Sequence, residues 1–177
     1  MTVVTQTISL NSMIRAAGGF AIISGIISAI GVIFLITMFA LFATSRQVQG
    51  ETIGLLNDIC VALQYTLTIP VALALYLILP PYNPNLIRLG TIIGIFSMLI
   101  VIALQLALVF EVVTFQQQAV WASLAMVVGV GAWLIITGLV ARSTDLFPNS
   151  VLMSAVAVPY FGYPVWALWL GRILLTL

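Results

Sequence analysis

The chain reads as an all-α protein, a polytopic bundle of transmembrane helices with five spans in a single membrane domain, residues 1–177. Two observations carry that reading. Hydrophobic residues make up 63% of the 177 residues and charged ones 5%, against about 25% charged in soluble domains. Apolar runs recur along the whole chain, and about 20 such residues are what a hydrocarbon core roughly 30 Å thick asks of a helix. A soluble fold burying several such helices would have no amphipathic elements left to wrap them.

The elements follow in order. Residues 1–16 are mixed in character up to Arg15, and an apolar run then extends from about Ala17 to Ala43. That run exceeds the apolar core of a signal peptide, about 7–15 residues, and is read as a retained first span. TSRQVQGET, Thr44–Thr52, is a loop, and a second span covers about Ile53–Leu79 with Pro70 inside it. LPPYNPN, Leu79–Asn85, removes several backbone donors at once and stops the helix. A third span follows at about Leu86–Phe110. Glu111 and the run Gln116–Gln118 mark a turn before a fourth span at about Ala119–Ala141. RSTDLFPNS, Arg142–Ser150, is the last loop, where Asn149 or Ser150 can cap a fifth span at about Val151–Leu175. Short connections make successive helices antiparallel neighbours. Gly18–Phe39 and Gly90–Phe110 share only texture, and an odd span count fits poorly with two complete inverted repeats.

Five spans would put the termini on opposite sides of the membrane. Arg15, Arg88 and Arg142 then share the N-terminal side, and Arg46 and Arg172 the other, so the positive-inside rule favours a cytoplasmic N-terminus in a multi-pass cell-membrane protein. Glu51, Asp58 and Glu111 gather opposite. Asp58 lies about six residues into its span, roughly 7 to 9 Å deep, where an ionised carboxylate needs a partner or water. Arg46 or Arg172 is its expected ion-pair partner. Asn57, Gln64 and Thr68 share a face of the same helix, and Gln105 is expected at the depth of Asn57. Two readings stay open for this group: a polar vestibule for an ion, proton or small ligand, and hydrogen-bonded contacts between helices.

Much chemistry is excluded. Five arginines and a net charge of +1 make no nucleic-acid patch. The absence of histidine removes the imidazole base and the commonest haem and metal ligand. One cysteine and four scattered acids match no familiar zinc or di-iron spacing. No catalytic residue, metal or cofactor is expected. Ser24 and Ser28, Gly25 and Ala29, and Gly90 and Gly94 are each four apart, a spacing at which helices approach closely.

In the last span, VPYFGYPVWALWLG, Pro159 and Pro164 should kink the helix or leave it locally unwound, with Gly162 allowing a close neighbour, so that a groove for a lipophilic ligand can open there. Trp166 and Trp169, three apart and followed by Arg172, fit an interfacial anchor.

YPVWALWLGR, Tyr163–Arg172, resembles the closing segment of a class of uncharacterised bacterial multi-pass membrane proteins, whose last helix ends in a Trp-rich, W-L-G-like signature. IRAAGG at Ile14–Gly19, the Asp58-bearing span and TGLVARSTDLFPNSV at Thr137–Val151 extend the similarity loosely. The class runs somewhat longer, with more spans. The resemblance implies a bacterial inner-membrane protein with no assigned reaction. Two functions compete. One is a non-catalytic scaffold or accessory subunit, meeting lipids and other membrane subunits or a second copy of itself. The alternative is a small transporter, channel or lipophile-binding protein using the kinked fifth helix and the Asp58 region.

Overall fold

A computed structural model describes residues 2–144, 147 and 159–177 of the chain. Every regular element among them is helical: α1 Thr2–Ala43, α2 Gln47–Ile78, α3 Pro84–Val109, α4 Phe115–Leu124, a π-helical turn Ala125–Val130, α5 Gly131–Ala141 and α6 Pro159–Thr176. With α4, the π turn and α5 taken as one continuous rod, four helices are long and apolar enough to cross a membrane: Leu10–Ala43, Gln47–Ile78, Pro84–Val109 and Phe115–Ala141. The chain is therefore an integral membrane protein built as a helical bundle, with four such helices where five were expected. The fifth expected span falls partly on residues 151–158, which lie outside the described residues, as do the candidate caps Asn149 and Ser150.

Helix ends follow local chemistry. Ser45 takes a left-handed φ of 59° and lets the chain turn between α1 and α2. Asn83 accepts from the Leu86 N–H at 3.2 Å, and Pro84 occupies the first turn, where its missing N–H costs nothing. A capping box starts α4: the Gln117 N–H donates to Thr114 Oγ1 at 3.4 Å, and the Thr114 N–H to Gln117 Oε1 at 3.1 Å. Helices consequently begin before their apolar runs do. The Gln116–Gln118 run is the first turn of α4 rather than a loop.

Close contacts fix the order of packing. A Cβ on Gly54 would meet Met38, and one on Gly31 would meet Cys60, so α2 runs antiparallel to α1. Gly90 faces Ile136, Gly94 faces Trp133 and Gly129 faces Ser97, which sets the last crossing antiparallel to α3. Against α1, the short α6 places Leu168 and the Pro164 carbonyl beside Gly25, and Gly171 and Leu175 beside Gly18. It too is antiparallel to α1, and its C-terminus points to the end where α1 begins. Opposite these contacts, Phe20, Ile23, Ile26, Ile30, Ile33 and Ile36 form the outward stripe of α1, at the three- and four-residue spacing of one helix face.

Several expectations about the last helix change. The helix continues through Pro164 without unwinding, and Pro159 is its first described residue. Pro164 is buried, with its carbonyl against Gly25 of α1, and Gly162 is half-buried. Trp166 is 1% exposed and belongs to the core, edge-on to Trp133 with ring centroids 5.8 Å apart. Only Trp169 is partly exposed. Residues three apart on a helix differ by about 60° around its axis, enough to send one indole inward and the other to the rim.

Candidate functional site

The polar side chains of the bundle are not scattered. Asn57, Asp58 and Gln64 are each 8% exposed, Gln105 is 2% and Gln118 is 4%. Asp58, Asn57, Gln105 and Gln118 line one cavity of about 410 Å³ at the end where α1 stops and α2 begins. Its apolar walls include Met38, Phe39, Phe42, Leu108 and Phe115, and the exposed pair Gln47 and Glu51 sits at its rim, with Gln47 Nε2 donating to Glu51 Oε1 at 3.0 Å. Gln118 Nε2 donates to Gln105 Oε1 at 2.8 Å, joining α4 to α3 across the cavity wall.

A second, smaller cavity of about 90 Å³ lies deeper, lined by Ser28, Gln64, Tyr65 and Tyr163. Ser123 and Met126 line both spaces, so the two cavities adjoin at the wall where α4 meets the π turn. The π turn forms part of this inner wall through Met126, Val127 and Val130. Insertion of a π turn in an α-helix is a recurrent feature of functional sites, and nothing in the composition of AMVVGV announces it.

The inner end closes on a hydroxyl cluster. Ser24 Oγ lies 2.8 Å from Tyr163 Oη and 3.2 Å from Thr68 Oγ1, and Tyr163 Oη also hydrogen-bonds Thr68 Oγ1. Ser24 and Thr68 both donate to the Gln64 carbonyl, at 3.2 and 2.7 Å. Three helices are thereby joined by groups that water does not reach: Ser24 and Thr68 are 0% exposed and Tyr163 is 4%. Sequence reasoning singled out Thr68 for its face and Ser24 for its size. It missed the role of Tyr163, whose signal was a hydroxyl in the middle of an apolar helix.

The structure brings Asp58 and Gln105 to the outer cavity and Gln64 to the adjoining inner one. The expected cations stay away. Arg46 is the exposed N-terminal cap of α2, twelve residues from Asp58 or roughly 18 Å along the helix. Arg172 follows Gly171, which packs on Gly18 and Ile22, whereas Asn57 beside Asp58 packs near Gly31. The two levels are at least nine residues of α1 apart, roughly 14 Å. Glu111 is exposed in the α3–α4 connection, at a left-handed φ of 59°. No basic side chain lines the cavity among the described residues, and the polar neighbour of Asp58 is the Asn57 amide.

No group of three or more metal-ligating side chains occurs among the described residues. Comparison of the chain with family models, curated proteins and solved structures finds no match.

Proposed function

We propose that the protein is a non-catalytic membrane protein that takes up one small amphipathic molecule in the cavity beside Asp58. The observation that carries this reading is the cavity itself: about 410 Å³, with apolar walls and a few converging polar groups. Ligand pockets run from about 300 to 1,000 Å³ with that division of lining. A bundle that needed Asn57, Asp58, Gln105 and Gln118 only as contacts between helices would close around them, because open space forfeits packing. The inner cavity, which adjoins this one at Ser123 and Met126, adds room for the ligand or for water toward the middle of the bundle. No cofactor is needed on this reading.

Orientation enters as part of the proposal. With Arg172 grouped at the end of the bundle that holds Arg15, Arg88 and Arg142, four arginines stand against Arg46 alone. The positive-inside rule then assigns that end to the cytoplasm of a bacterial inner membrane and opens the cavity on the opposite face.

The scaffold reading has weaker support. It rests on small-residue faces, and Gly18, Gly25, Gly90, Gly94 and Gly129 are each taken up by contacts within the chain. The exposed stripe of α1 is what it would offer to lipid, a partner subunit or a second copy.

Native mass spectrometry of protein released from mild detergent tests the reading. Wild type should retain a molecule of a few hundred daltons at near one per chain, and Ala122→Trp, which fills the cavity from a position 1% exposed, should lose it. Empty wild-type protein, or equal retention by the variant, refutes it.

A further inference from the structure

We propose that the outer cavity selects a monovalent organic cation, an ammonium or phosphonium head on an apolar body. This rests on the reading that the cavity binds a small amphipathic molecule, and it assigns that molecule a charge. Asp58 is 8% exposed, lines a space of about 410 Å³, and has no arginine beside it. The arginines expected to neutralise it lie far along α2 or toward the opposite end of the bundle. A carboxylate at that depth is costly without a compensating charge, and a bound cation supplies one.

Three further features of the lining agree. Its second acid, Glu51, stands at the rim and is held by a neutral amide, that of Gln47. Phe39, Phe42 and Phe115 line the same space, and aromatic rings attract cations that come over their faces. Among them Phe42 is backed by Gly50, where a Cβ would come within 2.3 Å of the ring, so the absence of a side chain there makes room for it. The Gln118-to-Gln105 bond uses one donor and one acceptor, leaving the Gln118 amide carbonyl in the same lining as a dipole whose oxygen end attracts a cation. An inorganic ion fits less well: hard cations require six or more oxygen ligands at about 2.0 to 2.6 Å, and a wide, mostly apolar space does not supply them. An anion would meet two acids and no base.

The test uses the full chain in zwitterionic phosphatidylcholine nanodiscs and tritiated tetraphenylphosphonium, with tetraphenylborate as the anion of the same shape. Saturable phosphonium binding at about one per chain is expected, displaced by benzyltriethylammonium and not by the borate at equal free concentration. Asp58→Asn should weaken phosphonium binding at least tenfold, and Asp58→Glu should stay within about threefold of wild type. Absence of saturable binding of either cation, equal displacement by borate, or wild-type affinity in Asp58→Asn overturns the proposal. Should Asp58→Asn fail to fold, the cation–anion comparison on wild type and the Asp58→Glu result still decide. Failure of this charge assignment differs from failure of the cavity reading: a neutral molecule retained by wild type and lost in Ala122→Trp, with no cation bound, sinks the first and spares the second.

Discussion

Gly18 and Gly19 are neighbours in sequence with opposite surroundings, which makes them a matched pair for testing how α6 docks on α1. A Cβ on Gly18 would lie 2.9 Å from the Gly171 carbonyl oxygen and 3.0 Å from the Leu175 nitrogen, both backbone atoms that no rotamer change can move. Ordinary contact begins near 3.4 Å, so α6 must retreat by roughly half an ångström along the whole contact. Gly19 has nothing within 4 Å. Replacing either by alanine gives the same gain in helix propensity, up to about 1 kcal/mol, so the difference between the variants isolates the steric cost. Inserting a methyl group into a tight contact costs typically about 1 to 3 kcal/mol, and Gly18→Ala should be less stable than Gly19→Ala by that amount. In the unfolding equilibrium this is roughly five- to 160-fold. Unfolding by sodium dodecyl sulfate in mixed micelles, followed by Trp fluorescence, measures it. Equal stability of the two variants would refute the antiparallel α1–α6 contact.

Other consequences follow from the same geometry. Tyr163→Phe removes the hydroxyl shared with Ser24 and Thr68 but leaves both of those donating to the Gln64 carbonyl, so a loss of about 0.6 to 2 kcal/mol is expected; a double-mutant cycle with Ser24→Ala should give non-zero coupling. Gln105→Leu and Gln118→Leu each strand a buried amide, at about 1 to 3 kcal/mol. The double Leu variant should be more stable than the two losses added together, and strict additivity in thermal unfolding would deny the 2.8 Å bond between them. Because α6 ends where α1 begins, reporter fusions at the two termini should report the same compartment. Opposite compartments would restore the five-span arrangement.

Apolar runs revealed the four long helices because a hydrocarbon core is sensed residue by residue along the chain. Their starts were placed late wherever polar residues open the helix: Thr114 and Gln117 cap α4 with their own side chains, and Gln118 in the same turn is buried on Gln105. An apolar-run criterion reads those glutamines as part of a turn. Asp58, Gln64 and Gln105 were recognisable as candidates, since a polar group inside an apolar run needs a reason. Their meeting around a cavity was not, because depth along a helix says nothing of which faces meet or whether the space between them is filled. The direction of α6 was lost for the same reason. Counting spans assigned Arg172 to the side of Asp58, whereas contact with Gly18 and Ile22 sets it toward the other end. Trp166 shows the limit from within one helix: spacing grouped it with Trp169, and packing against Trp133 separated them.

A ligand can enter the space beside Asp58 only if that space is reached from water at the end of the bundle where α2 begins. Ala119→Cys in a Cys60→Ser background puts one thiol on its wall, at a partly exposed position. A membrane-impermeant cationic methanethiosulfonate should modify that thiol when added from the face bearing Gln47 and Glu51, and not from the face bearing Arg88. A thiol inert from both faces, in protein that is folded by size exclusion, would contradict the cavity and the proposals built on it.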